Sequence, residues 1–572
     1  MKRSACLGIA ASFMLCLVFV LDCSAQTPPS SETAGGISAQ QRSLDKEKRL
    51  EKRIEKERPQ AEEGLTDEML ADTGPKVLVK TIRVEGPSLL SPEEILGIIH
   101  PHEGKELSLK GMQKVADLIT DAYRRKGYAT SRAYLPPQTI KDGILLIKVV
   151  EGKLGEVQIR GNKYFKTSLY EKKLDLQPGG YFDYSALQRS LVYINEAPDR
   201  KAKVTLVPGK APGTTDVVID VEDQMPIHAG FEYDNYASRY LEKNRFALVL
   251  EDNNLFGFDD KLYLKALTGE ASRLRQYQGR YSFPVFEGFD LGGYFLISRT
   301  RLGEEFSDLA AKGKASLYGL FSSLALVHSD PWDLRLTAGF DYKDIKNYLI
   351  GSRTSTDRVR VAKLGLDSDS IDSWGRTIVS AEVDQGIPDI FDGMDDKDSA
   401  ASRAGGGGKF TKMPAYLFRL QTLPWEMSFL WKNIGQFSNH ALVASEQFQI
   451  GGPISVRGYP PAEYSGDKGL YSSPEVSIPI YFLPRDWKVP YNEEKWYDTS
   501  RLVVFYDWAE AHYNRVEPGT EKHQTLRGWG FGYRFNLRDN ITCRVEVGYP
   551  LGGKMPTDGD HAHPWVEFTA KF

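Results

Sequence analysis

From residue 227 onward, apolar and polar residues alternate with a period of two over one short segment after another. In the last segment, Val566, Phe568, Ala570 and Phe572 fall on one face, and Glu567, Thr569 and Lys571 fall on the other. Charged residues on the enclosed face of a sheet mean that the enclosed space is wet, which contradicts a soluble sandwich core and predicts a membrane β-barrel. We count about sixteen such segments in residues 225–572, so we expect antiparallel strands around an aqueous channel that needs a plug or a gate.

The residues before the barrel follow a different pattern, in which strand-like and helix-like segments occur twice in the same order. The first unit, residues 77–152, contains a helix whose apolar residues share one face: Met112, Val115, Ala116, Ile119, Ala122 and Tyr123. The second unit, residues 153–224, repeats the order, with strands predicted at 157–161, 204–207 and 216–221. Two tandem βααββ units indicate a repeated small α+β domain.

The N-terminus has the parts of a secretory signal peptide, which we assign to residues 1–25. Lys2 begins a short basic region, a long apolar stretch follows, and small residues lead to a cleavage site after Ala25. A lipoprotein signal at Cys23 is the alternative, but Asp22 does not suit the small residue that such a signal needs there. The sequence therefore favours export of the mature chain.

Residues 26–76 read as a flexible lead, a charged helix at about 40–58 and a linker. The helix has acidic and basic residues at i,i+4 spacing and ends before Pro59. Its apolar residues are too few for a core helix. Two interpretations remain open, namely a solvated tether and a polar helix inserted in the barrel pore as a plug.

Composition restricts the class of protein without deciding it. The chain is 41% hydrophobic with a mean hydropathy of −0.40, values that suggest a soluble protein but also occur in membrane barrels, where polar and apolar residues alternate. The formal net charge of −4 argues against nucleic acid as a partner. Removal of residues 1–25 leaves Cys543 as the one cysteine, so we expect no internal disulfide.

Motifs for chemistry are weak in this sequence. The run from Gly405 to Phe410 resembles a phosphate-binding loop, but Phe410 stands where Ser or Thr must contact magnesium. The pairs His100/His102 and His561/His563 lie in connections with proline and without a further ligand at metal-site spacing. We therefore expect no catalytic residues, no metal and no cofactor, and the protein is not interpreted as an enzyme.

The most informative motif is Val456-Arg457-Gly458-Tyr459, in a polar loop at about 438–469. Asp507 lies about fifty residues further on, on the polar phase of a predicted strand. A guanidinium fork matches a carboxylate, and such a pair is stronger in a partly desolvated lumen than at a surface. From the residues alone, Arg457 could equally be a solvated loop arginine, and Asp507 could be an ordinary lumenal charge.

These features together resemble the two-partner secretion transporters, the TpsB family typified by FhaC and ShlB, within the BamA-like barrel superfamily. The resemblance includes the charged helix, two polypeptide-transport-associated (POTRA) units, the segment Tyr134–Gln138 and the barrel that ends on Phe572. Its most specific part is the nine-residue run Gly451-Gly452-Pro453-Ile454-Ser455-Val456-Arg457-Gly458-Tyr459, which is similar to the lumenal loop motif of the superfamily.

The resemblance implies roles for particular residues. Arg457 and Asp507 would form a lock, Gly451, Gly452 and Gly458 would adopt backbone conformations that a Cβ forbids, and Val456 and Tyr459 would complete the motif. The family's partner motif on the strand, Phe-x-Asp-x-Gly, reads here from Phe505 to Ala509, so alanine replaces the final glycine. That replacement puts the close approach of the loop backbone in doubt. Phe572 would serve as the C-terminal signal for barrel assembly.

The resemblance also implies a function and a location. The protein would be an outer-membrane transporter of a Gram-negative bacterium, with POTRA domains in the periplasm that recognise an unfolded, β-helical exoprotein and a pore that secretes it. Implied partners are outer-membrane lipids and lipopolysaccharide, the barrel assembly machinery and periplasmic chaperones, with no nucleic acid. An assembly factor that inserts other β-barrel proteins is the alternative, although two POTRA units favour the transporter.

Overall fold

The structure is a computed structural model of the 572-residue chain, and it describes residues 33–39, 48, 75–329, 331–516, 521–537 and 540–572. The predicted signal peptide, residues 1–25, and most of the charged segment 40–58 lie outside the described residues. Among the helices within these ranges, none combines the length and the apolar character needed to cross a bilayer.

The first α+β domain has the predicted order of elements with one addition. Its elements are β1 (Lys76–Val79), β2 (Thr81–Glu85), α1 (Pro92–Ile99), β3 (Lys105–Ser108), α2 (Leu109–Arg125), β4 (Arg132–Tyr134) and β5 (Ile144–Val150). The sequence predicts a single strand at 77–84, but the strand divides at Lys80, because β1 pairs with β3 whereas β2 joins the mixed sheet β2–β5–β4. Ser91 caps α1 by accepting a hydrogen bond from Glu94 N, and the predicted apolar face of α2 is buried in the domain core.

The second α+β domain matches the predicted βααββ order. Its elements are β6 (Lys153–Arg160), α3 (Thr167–Lys173), α4 (Tyr184–Asn195), β7 (Arg200–Pro208) and β8 (Thr214–Asp223). The sheet order is β6–β8–β7, with β6 parallel and β7 antiparallel to the central strand β8. Within the part of the chain that the structure describes, β7 is therefore an edge strand.

The rest of the chain forms a closed antiparallel barrel, as the alternating pattern predicts. The strands are β9 (Ile227–Asp234), β10 (Arg245–Asp252), β11 (Lys261–Gly269), β12 (Leu274–Phe286), β13 (Phe289–Arg301), β14 (Lys312–His328), β15 (Trp332–Leu349), β16 (Ser352–Ile371), β17 (Gly375–Gly386), β18 (Phe410–Thr422), β19 (Ser428–Ser438), β20 (Phe448–Ile450), β21 (Tyr464–Gly466), β22 (Lys468–Pro479), β23 (Ser500–His512), β24 (His523–Leu537), β25 (Ile541–Pro550) and β26 (His563–Lys571). In the described ranges the barrel has 16 of these strands, since β20 and β21 form a separate pair and β26 closes onto β9. A short helix α5 (Trp496–Thr499) precedes β23.

The two faces of the barrel strands differ as expected for a wet lumen within a membrane. On β23, Leu502, Val504 and Tyr506 are exposed on the outer face, whereas Phe505 and Asp507 are buried on the inner face. Other strands bury further charges inside the barrel, including Lys343 on β15 and Glu475 on β22. This distribution confirms that the charged phase of the alternation faces the lumen.

A buried ion pair joins the second α+β domain to the barrel. The side chain of Arg200 donates to both carboxylate oxygens of Asp259, at 2.6 and 2.8 Å, and Asp259 lies in the turn between β10 and β11. Lys173 Nζ is 2.9 Å from the same carboxylate. Burial raises the pKa of Asp259, but the hydrogen bonds and charges of Arg200 and Lys173 outweigh burial and hold the pKa below its usual range.

Candidate functional site: the lumenal loop

The loop between β19 and β22, residues 439–467, folds into the barrel instead of projecting from its end. Its short strands β20 and β21 pair with each other, and its apolar side chains Ile450, Val456 and Tyr459 are fully buried. They pack in one cluster with side chains of the inner wall, among them Tyr471 and Leu526. The loop is therefore part of the barrel interior.

Arg457 and Asp507, which the sequence separates by fifty residues, are in direct contact. Arg457 Nε and Nη2 donate to the two carboxylate oxygens of Asp507 at 2.9 and 2.8 Å, and the backbone N–H of Arg457 donates to the same carboxylate at 3.0 Å. Both side chains are buried. This is the bidentate geometry in which a guanidinium is strongest and a lysine is a poor substitute.

The remaining nitrogen of the guanidinium contacts two further carboxylates. Arg457 Nη1 donates to Glu475 at 3.2 Å and to Glu546 at 2.9 Å, while Nη2 also donates to Ser473 Oγ at 3.0 Å. Ser473 in turn donates to Asp507 at 2.7 Å, which holds the carboxylate in place.

Two more cations complete what we call the lock cluster, which comprises Arg457, Asp507, Glu475, Glu546, Arg534 and Lys432. Arg534 donates to Glu546 at 2.8 Å and to Glu475 at 2.6 Å, and Lys432 Nζ lies 3.1 Å from Glu475. The cluster thus holds three cations and three carboxylates. Its formal charge is zero, which is the condition under which buried charges are tolerated.

Aromatic residues and glycines shape the space around Arg457. The guanidinium carbon lies 3.2 Å from the centre of the Phe505 ring, and Trp565 Nε1 donates to the Arg457 carbonyl oxygen at 2.8 Å. A Cβ at Gly548 would overlap that carbonyl group, so the wall strand β25 admits the loop backbone because it carries a glycine there.

The loop glycines have the predicted special conformations in two of three cases. Gly451 and Gly452 have φ of 101° and 92°, which other residues rarely adopt, and a Cβ on either would meet the backbone of the same loop. Gly458 has no positive φ, but a Cβ there would meet the backbone of Tyr549. Ala509 is fully buried in the cluster that contains Val456, so the wall accommodates its methyl group.

A second anchor holds the loop on another part of the wall. Glu446 lies 2.7 Å from Lys343 Nζ on β15 and 2.8 Å from Lys412 Nζ on β18. At the end of the loop, Asp467 forms an ion pair with Arg403. The loop is therefore held both at the lock cluster and on strands β15 and β18.

The described part of the N-terminal lead also lies inside the barrel. Residues 34–39 are helical, and the N–H of Ala34 donates to the lumenal side chain of Asn347 at 3.1 Å. The lumenal loop contacts the same segment, since Gln449 Nε2 donates to the carbonyl oxygen of Gly36 at 3.0 Å. Lys48 forms an ion pair with Glu567 on β26. The plug hypothesis for residues 40–58 otherwise lies outside the described residues.

The alternation placed Arg534 and Glu546 on the polar phase of their strands, but it did not pair them with the loop. Sequence analysis did not single out Glu475, Ser473 or Lys432. A buried arginine has several donors and needs more than one acceptor. Charged residues on the inward phase of neighbouring strands could therefore have been considered as further partners of Arg457.

The other residues considered in the sequence lie away from the lock cluster. Gly405 has a φ of 77°, and its loop packs against residues 394–396. His100 contacts Glu103, and His563 contacts Asp558 at 3.0 Å. Phe572 exchanges backbone hydrogen bonds with Ala229 at the end of the barrel that adjoins the α+β domains.

A closed barrel, an inward loop held by a buried arginine and two preceding α+β domains define an outer-membrane transporter barrel with POTRA domains. The model of the haemolysin secretion/activation protein family ShlB/FhaC/HecB matches residues 213–494 of the chain. The ShlB-type POTRA domain matches residues 77–152, and a POTRA model described as a surface antigen variable number repeat matches residues 153–224.

Similar proteins agree with this assignment. The chain is 22% identical over 496 residues to the heme/hemopexin transporter protein HuxB of Haemophilus influenzae strain 86-028NP, covering 84% of each. It is 24% identical over 539 residues to the outer membrane transporter CdiB of Escherichia coli O6:K15:H31, covering 89% of this chain and 85% of that protein.

Solved structures show the same fold. CdiB from Escherichia coli matches with a TM-score of 0.74 at 21% identity, covering 96% of this chain and 100% of that one. BamA from Haemophilus ducreyi lacking POTRA domains 1–3 matches with a TM-score of 0.51 at 13% identity, covering 87% of this chain and 100% of that one. The expected class is thus confirmed: the protein is a two-partner secretion transporter of the outer membrane, with its POTRA domains in the periplasm and a secreted exoprotein as its partner.

Proposed function

We propose that the POTRA domains recognise an unfolded exoprotein in the periplasm and that this chain then threads the barrel and folds outside. The observation that carries the proposal is the lumenal loop, which is held inside a closed barrel by a buried ion cluster rather than by apolar packing alone. A pore that is filled by a loop on discrete polar anchors can be opened by breaking those anchors.

Strand addition at β7 is the proposed mode of recognition. In an antiparallel ladder, residues alternate between those bonded to the partner strand and those facing away. Gly209 N–H donates to Thr214 at 2.9 Å, which assigns the odd-numbered residues of β7 to the ladder with β8. Val204 and Leu206 therefore direct their N–H and C=O groups to the free edge, where an extended peptide can bind.

The lock cluster is proposed to set the resting position of the loop. Arg457 and Asp507 would hold the loop against the wall, with Phe505, Ala509 and the loop glycines providing the fit. Substrate folding outside the cell would drive transport, and the proposal includes no catalytic step, metal or cofactor. Outer-membrane lipids and lipopolysaccharide are proposed to surround the barrel, which the assembly machinery and periplasmic chaperones would deliver with Phe572 as the signal.

The test is secretion of the exoprotein, and a large β-helical protein encoded by a neighbouring gene would be the candidate to assay. Deletion of the transporter should leave that protein in the cell, and the wild-type chain should restore it to the medium, whereas Arg457→Ala should not. The alternative function, insertion of other barrel proteins, predicts instead that the deletion lowers the amounts of unrelated outer-membrane barrels. Secretion that is unchanged in the deletion strain would contradict the proposal.

A further inference from the structure

A cluster of two histidines and one glutamate lies on the outside of the barrel, away from the lumen. His512 at the end of β23 stands directly opposite His523 at the start of β24, and Glu510 lies two residues before His512 on the same face. Their ligand atoms all lie within 4.8 Å of one another. We call Glu510, His512 and His523 the rim triad.

The position of the rim triad follows from the strand alternation. On β23 the outward residues Leu502, Val504 and Tyr506 are apolar and exposed, and Glu510 and His512 continue the same phase. On β24 the exposed Trp529 and Phe531 lie on the phase that ends in His523. The triad therefore lies beyond the apolar band, at the end of the barrel far from the POTRA domains, where solutes outside the cell can reach it.

Within the triad, the carboxylate of Glu510 is too far from either imidazole to form a hydrogen bond. Glu510 Oε1 is 3.6 Å from His512 Nε2, and Oε2 is 3.7 Å from His523 Nε2, both longer than a hydrogen bond. Within the described residues, His523 Nε2 also contacts Thr525 Oγ1, at 3.2 Å. Both Nε2 atoms thus face one carboxylate across a gap.

The same distances suit a shared metal ion. Zinc binds imidazole nitrogen and carboxylate oxygen at about 2.0 to 2.2 Å, so two ligands of a tetrahedral ion lie about 3.3 to 3.5 Å apart. The imidazole rings stack, at 15° with centres 4.1 Å apart, so a rotation of one ring about its side-chain torsions would be needed to direct both Nε2 lone pairs at the same ion. The side chains are also accessible, with 31%, 48% and 33% of His512, His523 and Glu510 exposed.

We propose that the rim triad binds a divalent transition metal ion such as Zn²⁺, with a coordination position left for water. Two imidazoles and one carboxylate are a ligand set that suits zinc, copper and nickel and does not suit calcium or magnesium. The ion would join the ends of β23 and β24. The carbonyl oxygen of His512 accepts a 2.8 Å hydrogen bond from Asp467 N–H, so the ion would also brace the point where the lumenal loop returns to the wall.

Zinc binding to the full-length protein in detergent, without a histidine tag and after removal of metal by a chelator, tests this site. Competition with a chromophoric zinc chelator should show one more Zn²⁺ per chain in the wild type than in the double variant His512→Gln/His523→Gln. Glu510→Gln should weaken that binding at least tenfold. Co²⁺ should give visible absorption bands in the wild type that both variants lack.

The matched control is Asp558→Asn, which alters a second group of acidic residues and histidine at the same end, Asp558, Asp560 and His563. His563 already bonds Asp558 at 3.0 Å, so we expect this variant to bind zinc as the wild type does. Heat-modifiable migration in a gel confirms that each barrel is folded. Equal zinc stoichiometry in the wild type and the double histidine variant, or loss of binding in Asp558→Asn alone, would overturn the proposal.

Discussion

The guanidinium of Arg457 is the group on which the lumenal loop depends most. It is almost completely buried, and three carboxylates, a hydroxyl and an aromatic ring surround it. A buried ion pair adds little net stability over apolar packing, but loss of one partner leaves an uncompensated charge. The balance of three cations and three carboxylates therefore makes each member sensitive to substitution.

Arg457→Ala should leave the lock cluster with a net charge of −1, and Asp507→Ala should leave it with +1. Each change should cost the docked loop about 3 to 5 kcal/mol, because the remaining charges are buried. Secretion of the partner protein should fall strongly in both variants while the barrel remains inserted. Arg457→Lys should rescue poorly, because one ammonium cannot contact four groups at once.

The double variant Arg457→Ala/Asp507→Ala restores a neutral cluster and should secrete no worse than either single variant. Secretion assays and heat-modifiable gel migration on the four proteins form a double-mutant cycle. Additive defects would mean that the two residues act separately and would remove the lock from the proposed function.

Strand β7 of the second POTRA domain has functional contacts both along its edge and at its first residue. β7 presents a free edge, and its first residue, Arg200, fixes the second POTRA domain to the barrel turn that holds Asp259. Phe165 and Tyr170 lie on the Arg200 guanidinium, with ring centres 5.1 and 5.4 Å away. The same strand therefore combines a proposed binding edge with a rigid attachment to the pore.

Proline at Val204 or Leu206 should weaken substrate binding without unfolding the domain. Both N–H groups face the free edge, so proline removes a donor to the substrate and none to β8. Affinity of the purified protein for an unfolded substrate segment should fall at least tenfold for Val204→Pro/Leu206→Pro. The control Val204→Ala/Leu206→Ala keeps both donors and should bind normally.

Thr205→Pro provides the opposite control, since its N–H belongs to the ladder with β8 and its loss should destabilise the domain. Retention of full affinity by the double proline variant, with its domain folded, would exclude strand addition at this edge.

Arg200→Ala should loosen the second POTRA domain from the barrel and lower the free energy of unfolding of this junction by about 1 to 3 kcal/mol, because Lys173 still compensates the Asp259 carboxylate. Limited proteolysis near residue 224 should become faster in the variant. The control is Lys203→Ala. Lys203 lies on the same strand as Arg200, but its ion pair with Glu222 on β8 is exposed, so its loss should change the rate of proteolysis little. Equal cleavage rates for Arg200→Ala and the wild type would mean that the ion pair does not hold the junction.

The junction should also respond to acid in a definite direction. The pKa of Asp259 in the folded protein is held below the unfolded value of about 3.9. The carboxylate thus contributes stability at pH values above that, and the contribution is lost as the pH falls through the folded-state pKa. Proteolysis with an acid-active protease should therefore accelerate below about pH 4 in the wild type, and less so in Asp259→Asn.

The complete barrel is closed by strand pairing and filled from within. The lumenal loop occupies one part, and residues 34–39 pack between that loop and strands β14 and β15. Gly313 has no room for a Cβ because Ala34 lies against it. The lumenal loop and residues 34–39 are both held by polar contacts to the barrel wall. Each can therefore be removed without breaking the backbone hydrogen bonds between the barrel strands.

Deletion of residues 33–58 should raise the ion conductance of the purified protein in planar bilayers. The lead contacts the lumen at Ala34 and Lys48, and its removal widens the aqueous path. Deletion of residues 59–74, which keeps both contacting residues in the chain, is the control and should leave conductance near the wild-type value. Unchanged conductance on deletion of 33–58 would show that the lead does not occlude the pore.

The alternation of apolar and charged residues was sufficient to predict the barrel, its number of strands and the wet lumen. This is possible because the side-chain period of a strand is two and each face meets a different solvent. The POTRA helices were predictable for the same kind of reason, since the apolar residues of α2 between Met112 and Tyr123 recur at helical spacing and share one face. Local rules, however, could not show that the strand at 77–84 divides at Lys80, because pairing of β1 with β3 is a tertiary contact.

The lumenal site likewise contains some residues that the sequence identified and others that only the structure revealed. The motif around Arg457 and the acidic residue Asp507 were visible in the sequence, whereas Glu475, Glu546, Arg534 and Lys432 became partners through strand register alone. The rim triad depends on the direct opposition of His512 and His523, which lie eleven positions apart in the chain. Sequence determines which face each side chain occupies, and tertiary structure decides which side chains meet, because register and barrel closure bring distant strands together.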